Sequence, residues 1–174
     1  LWGAAGTMLA AREMHRRTGE ERWAEIWGES ASELLSEWRF DEAFGCRLWM
    51  QVINKRASQG LGVAHGFAGN ILALLDGLHL LPPAERDEVV VHATRTALAT
   101  AVVDNGRANW PVAAGLPLEG HQQTRTQWCH GAPGIVSSLA ALPSDPELDA
   151  ILVAGGESDV AGGAAREGGR ALSR

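Results

Sequence analysis

Two short segments of the sequence place side chains that can ionise or bind metal directly before a glycine. The first segment ends in His65-Gly66 and the second contains Cys129-His130-Gly131. A thiol beside an imidazole and at a helix N-terminus is in surroundings that favour the thiolate, which is the nucleophilic and metal-binding form. An imidazole can exchange a proton near neutral pH. Cys129 and His65 are therefore the candidate reactive residues, with a buried small side chain and a helix-capping imidazole as their structural alternatives.

The remaining composition narrows the class of protein. Cys46 lacks the imidazole neighbour and the following helix start that Cys129 has, so we predict a packing role for it, and two cysteines cannot form a disulfide framework. This cysteine usage predicts a reducing, cytoplasmic setting. Fifteen basic against 21 acidic residues give a net charge of −6, which provides no basic surface for nucleic acid. The longest uncharged stretches contain Gly, Asn, Gln, Ser, His or Pro, so we predict no membrane span.

Three Gly-x-x-Gly pairs position these residues along the chain. The pairs begin at Gly3, Gly66 and Gly131, at separations of 63 and 65 residues, and each one heads an apolar run. A near-constant period predicts a repeat architecture, in which each unit buries its apolar face against its neighbours. We therefore expect three equivalent helices with their N-terminal ends on one side of the molecule.

Each repeat is predicted to contain two helices, an uncharged inner one and a more charged outer one. Thr18-Gly-Glu-Glu21 has the pattern of a capping box, which predicts an outer helix ending near Trp38. Pro82-Pro83 followed by acidic residues predicts a second outer helix to about Val103. A third, short one is expected from Pro146 through Leu152. No stretch alternates convincingly at period two, so the predicted fold class is all-α.

Long connections precede the second and third glycine pairs. They run over about residues 39–65 and 104–130, and both end at the candidate reactive residues. Connections of this length in a compact domain are usually functional. Because glycine lets backbones approach closely, the pairs would hold these residues over the helix N-termini. The repeat is therefore expected to collect its chemistry at one end of the helix bundle.

Four segments carry a pattern more specific than the repeat itself. They are Leu1-Trp-Gly-Ala-Ala-Gly-Thr7, Leu61-Gly-Val-Ala-His-Gly-Phe-Ala-Gly-Asn70, Asn109-Trp-Pro111 and Gln127-Trp-Cys-His-Gly-Ala-Pro-Gly-Ile135. Together they resemble the lanthionine synthetase C-like (LanC-like) family, from Leu1 to about Glu157. The resemblance implies an α/α toroid of seven inner and seven outer helices. About three helix pairs of such a ring are present here, so the toroid would be incomplete and the chain a fragment of something longer.

The resemblance also implies a reaction and a set of site residues. Family members bind zinc and add a thiol, from a peptide cysteine or glutathione, to a dehydroamino acid in a peptide, which forms a thioether. By this resemblance Cys129 is the first zinc ligand, His65 a general acid/base, and Arg125 the group that stabilises the enolate or orients substrate. Trp128 and His130 would line the site and contact substrate. His130 is a possible additional ligand, although the family does not use the residue after this cysteine.

The sequence departs from the family after Glu157. The family's later Cys-His-Gly motif, which carries the other zinc ligands, is missing from the Gly/Ala-rich residues 158–174. Codons can be chosen so that a frame shifted by one nucleotide converts Arg170-Ala-Leu-Ser-Arg174 into Gly-Leu-Cys-His-Gly. We therefore interpret residues 1–157 as a partial LanC-like toroid and residues 158–174 as an out-of-frame, disordered tail. As written, the chain is expected to be inactive.

Two other classes of function fit parts of the pattern. An α/α-toroid glycosidase needs paired carboxylates in the loops between helices, for which Asp104 and Glu119 are available. A non-catalytic α/α-repeat scaffold would bind a peptide or protein through its exposed faces. Tight zinc binding would favour the thiol-addition enzyme, whereas the absence of zinc binding would leave the scaffold.

Overall fold

A computed structural model describes residues 3–53, 55–116 and 126–168, with side-chain environments given for these except residues 53 and 158–168. The described part of the chain is mostly helical. The helices of the described part are α1 (Ala4–Thr18), α2 (Glu21–Ser36), α3 (Phe67–Asp76), α4 (Pro83–Thr100), α5 (Ala132–Leu139) and α6 (Pro146–Gly168), with a 3-10 turn at Leu78–Leu80.

The three inner helices begin where the glycine pairs predict. Gly3, Gly66 and Gly131 are the N-cap residues of α1, α3 and α5. Gly3 and Gly131 have φ angles of 74° and 98°, in the left-handed region that favours glycine. Helix α3 packs against both α1 and α5. A closed ring is not visible among the described elements, so the complete toroid stays a prediction.

The first outer helix starts later than the capping-box pattern indicates. Thr18 is the last residue of α1, where its hydroxyl donates to the Met14 carbonyl and accepts from the Glu20 N–H. Gly19 then ends α1 in a left-handed conformation, and its N–H bonds to the His15 carbonyl. Helix α2 begins at Glu21 without a side-chain cap. The prediction of a capping box was therefore wrong because Thr18 closes one helix instead of opening the next.

The prediction that the chain contains no strands was also wrong. Three antiparallel two-stranded hairpins occupy the long connections: β1 (Trp38–Asp41) with β2 (Cys46–Trp49), β3 (Gln51–Ile53) with β4 (Arg56–Ser58), and β5 (Val102–Asp104) with β6 (Arg107–Asn109). Strands of three or four residues are too short to show a period of two. Asn105 and Gly106, with φ angles of 50° and 75°, form the tip of the last hairpin, and Asn-Gly is a known hairpin signal.

Tryptophan side chains fix the first hairpin to the helices. Trp38 and Trp49 face each other across β1 and β2, and their rings stack with centroids 4.5 Å apart. The Trp49 indole N–H donates to the Leu34 carbonyl of α2 at 2.8 Å. Cys46, the first residue of β2, has no exposed surface, in agreement with its predicted packing role. The connection from residue 39 to residue 65 is thus anchored to the core.

Helix α6 continues to Gly168, well past Leu152, where we expected it to end. The described part of the chain after Glu157 therefore begins as a continuation of this helix. The frameshift interpretation of residues 158–174 stays a prediction. Of the helices that the structure describes, none combines the length and apolar character needed to cross a membrane.

Candidate functional site

The second glycine of two Gly-x-x-Gly pairs makes room for the loop that precedes the helix. A Cβ atom at Gly69 would overlap the carbonyl oxygen of Val63, and one at Gly134 would overlap the carbonyl oxygen of Trp128. In both repeats the overlapping carbonyl lies six residues before the glycine. The loop therefore folds back over the first helical turn in the same way twice, which explains why the motif repeats.

The loop before α3 and the turn before α5 contact each other. A Cβ at Gly62 would overlap the Cys129 carbonyl oxygen and would lie 3.1 Å from Nδ1 of His130. The Cγ2 atom of Val63 lies 2.6 Å from the place that a Cβ of Gly134 would take. The segments that carry His65 and Cys129, 64 residues apart in sequence, are thus in direct backbone contact.

The turn that carries Cys129 is held by two backbone hydrogen bonds. The Gln127 N–H donates to the His130 carbonyl and the His130 N–H donates to the Gln127 carbonyl, both at 3.0 Å. The Cys129 thiol is 3.8 Å from Oε1 of Gln127, to which it donates. Cys129 and His130 are half-buried, while 52% of the Trp128 surface is exposed. The thiol is therefore carried by a hydrogen-bonded turn, on a residue that is partly exposed.

Asn109 connects this turn to the last hairpin. Its side-chain oxygen accepts hydrogen bonds from the N–H groups of Trp110 at 2.8 Å and Ala132 at 2.7 Å. The Ala132 N–H is one of the first donors of α5, and the N-cap residue Gly131 has no side chain that could accept its hydrogen bond. Asn109 therefore caps a helix that begins 23 residues later. No local sequence signal indicates this role, because the contact depends on how the hairpin packs.

His65 lines a cleft of about 380 Å³. The N-terminal ends of α1 and α3, the end of α2 and the segment from β2 to β3 surround this cleft. Its polar lining includes Glu37, Gln51, His65 and Asn70. With its amide nitrogen toward the loop, Gln51 donates to the His65 carbonyl and accepts from the Gly66 N–H at 3.3 Å. Glu37 and Gln51 were not among the predicted site residues, because the cleft forms only where segments distant in sequence meet.

The predicted site residues do not all fall within the described part of the chain. Trp128, Cys129 and His130 share one turn, and His65 lies on the loop that packs against it. Arg125 lies outside the described residues. Their chemical roles stay predictions. Of the carboxylates considered for a glycosidase, Asp104 ends β5 on an exposed strand and Glu119 lies outside the described residues.

A comparison with protein families decides the relationship of this chain. The family model described as lanthionine synthetase C-like protein matches residues 47–153, which is more than half of the 174 residues. The chain belongs to the lanthionine synthetase C-like family. The match runs from β2 into α6 and includes both loops described above. Searches among curated proteins and among solved structures found no match.

Membership of the LanC-like family raises the question of zinc. A zinc site takes about four ligands, usually thiolate and imidazole groups with some carboxylates. Within residues 3–53, 55–116 and 126–168, no three His, Cys, Asp or Glu side chains are grouped so that they could hold a metal ion. Cys129 and His130 are adjacent on the turn, and the chain's other thiol, Cys46, is buried in the core. The described donors therefore do not fit a complete zinc centre.

The two thiols should differ strongly in reactivity. With a disulfide reagent at neutral pH, we expect Cys129 to react rapidly and Cys46 at least about 100-fold more slowly, because its modification requires opening of the core. Burial also raises the pKa of the Cys46 thiol. Cys129→Ala should remove the fast phase and Cys46→Ala should leave it unchanged. Equal rates for the two thiols would contradict the placement of Cys46.

Proposed function

We propose that this chain carries part of the site of a zinc-dependent enzyme that adds a thiol to a dehydroamino acid in a peptide. LanC-like proteins act on peptide substrates. The observation that carries the proposal is the contact of the Trp-Cys-His-Gly turn with the His-Gly loop at the N-terminal ends of α5 and α3. This contact brings a nucleophilic or metal-binding thiol and a titratable imidazole to one end of the helices.

The reaction requires a thiolate and a proton donor. The sulfur of the thiolate forms a bond to the β-carbon of dehydroalanine or dehydrobutyrine, and the π electrons of the double bond move to give an enolate. Protonation of the α-carbon then completes the thioether product. In this proposal His65 supplies that proton from the cleft, and Arg125 stabilises the enolate oxygen. Trp128 and His130 contact the substrate beside the Cys129 turn.

The chain as written is proposed to lack a competent metal centre. Cys129 is one ligand, and the family's second Cys-His motif is missing from the 174 residues. Metal affinity depends on the number of ligands that converge on the ion, so the loss of the second motif should weaken zinc binding severely.

Metal analysis and an activity assay test the proposal together. The chain is expected to contain well below one zinc per molecule and to leave a dehydroalanine peptide and glutathione unreacted. Replacement of residues 170–174 by Gly-Leu-Cys-His-Gly, together with addition of the family's further repeats, should raise the zinc content toward one per molecule. The same restored chain should produce the glutathione adduct, detected by mass.

Two single variants make the test specific for the Cys129 turn. Cys129→Ala should abolish zinc binding in the restored chain, whereas Cys46→Ala should preserve it. A restored chain that binds no zinc, or one that depends on Cys46, would overturn the proposal. The second candidate function is a non-catalytic scaffold that binds peptides. It would then agree better with the finding that no three metal-binding side chains are grouped among the described residues.

A further inference from the structure

The cleft beside His65 is lined by exposed apolar side chains and by one carboxylate among the described residues. We propose, resting on the function proposed above, that it selects substrate peptides carrying an apolar residue and a lysine or arginine next to the dehydroamino acid. The apolar side chain lies against Met50 and Val52, and the cation lies beside the Glu37 carboxylate.

The apolar side of the cleft leaves two large side chains in water. Met50 and Val52 line it and are 61% and 71% exposed. Gln51, which lies between them in sequence, bonds through its amide to the loop of His65, so this rim of Met50 and Val52 is tied to the candidate acid/base residue. Removal of apolar surface from water contributes about 25 cal/mol per Å². An apolar peptide side chain is therefore the occupant that this rim stabilises.

Trp49 forms a part of the cleft wall that is held in place by its neighbours. Trp49 lines the cleft, its indole N–H donates to the Leu34 carbonyl, and its ring stacks on Trp38. A preformed wall reduces the entropy lost when a ligand is ordered against it. Met50 is unbranched and adapts its shape, which suits side chains of different form. The cleft thus combines a wall held by Trp49 with an adaptable Met50 side chain at its rim.

The end of α2 makes one side of the cleft negative. Glu37 is exposed, lines the cleft and directly follows α2, whose C-terminal end carries partial negative charge. The last turn of α2 contains no basic residue that would compensate this charge. Among the described residues that line the cleft, Glu37 is the only carboxylate. Charge complementarity therefore favours a lysine or arginine of the peptide at this position.

The helix N-terminal ends that border the cleft have the reverse polarity. The N-terminal ends of α1 and α3 border it at Gly3 and Gly66, and neither helix has an acidic residue in its first turn. These ends favour electron-rich oxygens. A peptide that extends from Glu37 toward His65 would place its carbonyl groups there. The arrangement gives the bound peptide a direction as well as a sequence preference.

Binding assays with non-reactive peptides test this inference independently of catalysis. The peptides are short and contain alanine in place of the dehydroamino acid, with leucine before it. They differ only in the residue after the alanine, which is Lys, Gln or Glu. The Lys peptide should bind the chain about two- to fivefold more tightly than the Gln peptide, the range expected for one exposed ion pair. This preference should vanish in ~1 M salt, where charges are screened within about 3 Å.

Matched variants identify the residues responsible. Glu37→Gln should remove the Lys preference, whereas Glu33→Gln, which changes an exposed carboxylate of α2 outside the cleft lining, should retain it. The double variant Met50→Ser, Val52→Ser should weaken all three peptides equally. Equal binding of the three peptides, or a preference that survives Glu37→Gln, would overturn the inference. Competition by free glutathione would also overturn it, because the cleft would then hold the thiol substrate.

The closing assay separates this inference from the proposed function. Peptide preference is measured without zinc, thiol or a reactive double bond. Suppose that the Lys preference is absent, but that the chain binds zinc and forms the adduct once Gly-Leu-Cys-His-Gly and the further repeats are restored. This combination would overturn the assignment of the cleft alone. A restored chain without zinc binding would overturn the enzyme proposal alone.

Discussion

Replacing Gly134 with alanine should disrupt the candidate site and destabilise the fold together. A Cβ atom at this position would overlap the Trp128 carbonyl oxygen and would lie 2.6 Å from Cγ2 of Val63. Because one of these neighbours is backbone, the turn that carries Cys129 must move away from the helix. Overpacking of this kind reduces the free energy of unfolding by about 1–3 kcal/mol. Chemical denaturation and the rate of Cys129 labelling measure the two effects.

A glycine elsewhere provides the matched control. Gly28 lies within α2, and a Cβ atom added there would have no neighbouring atom within 4 Å. Alanine is favoured over glycine in a helix by about 0.8–1.0 kcal/mol, so Gly28→Ala should raise stability. The same substitution is thus expected to act with opposite signs at the two positions. A Gly134→Ala chain with unchanged stability and unchanged Cys129 reactivity would contradict the close approach of the turn to α5.

The second large effect is expected for Trp110→Ala. The Trp110 side chain has no exposed surface, and its indole N–H donates to the Ala97 carbonyl of α4 at 2.9 Å. Its ring also contacts α6, where a Cβ at Gly155 would lie 3.1 Å away. Truncation leaves a cavity among these elements and should lower the free energy of unfolding by about 3–5 kcal/mol.

Thermal and denaturant unfolding measure this loss, and Trp128→Ala is the comparison. Trp128 is 52% exposed, so its truncation removes little buried surface and should change stability by about 0.5 kcal/mol or less. Trp110→Phe should fall between the two, because it keeps much of the apolar volume but leaves the Ala97 carbonyl without its indole donor. Similar losses for Trp110→Ala and Trp128→Ala would be inconsistent with the core position of Trp110.

The sequence predicted features whose physical cause is local. The glycine pairs locate the starts of α1, α3 and α5, because each start needs a residue without a side chain at a defined place. The hairpins were missed because strands of three or four residues show no periodicity. The Asn105-Gly106 tip was an available signal for one of them.

The candidate site was predicted only in part for the same reason. The Cys129 turn and the His65 loop are identifiable from neighbouring residues, and the structure brings their backbones together. The cap from Asn109 to Ala132 and the cleft position of Glu37 depend on segments that are distant in sequence. No pattern within a single helix or hairpin carries that information.

In two repeats a loop carbonyl lies against the helix glycine that follows it by six residues. This fixed spacing limits where the chain can change length during evolution. An insertion between Trp128 and Gly134 would move the Trp128 carbonyl away from Gly134, whose missing side chain leaves room for it. The hairpin tip at Asn105 and Gly106 is exposed, and a Cβ at Gly106 would meet no atom within 4 Å. Descendant sequences can therefore gain residues at such tips and acquire new surfaces, while the spacing around the thiol stays fixed.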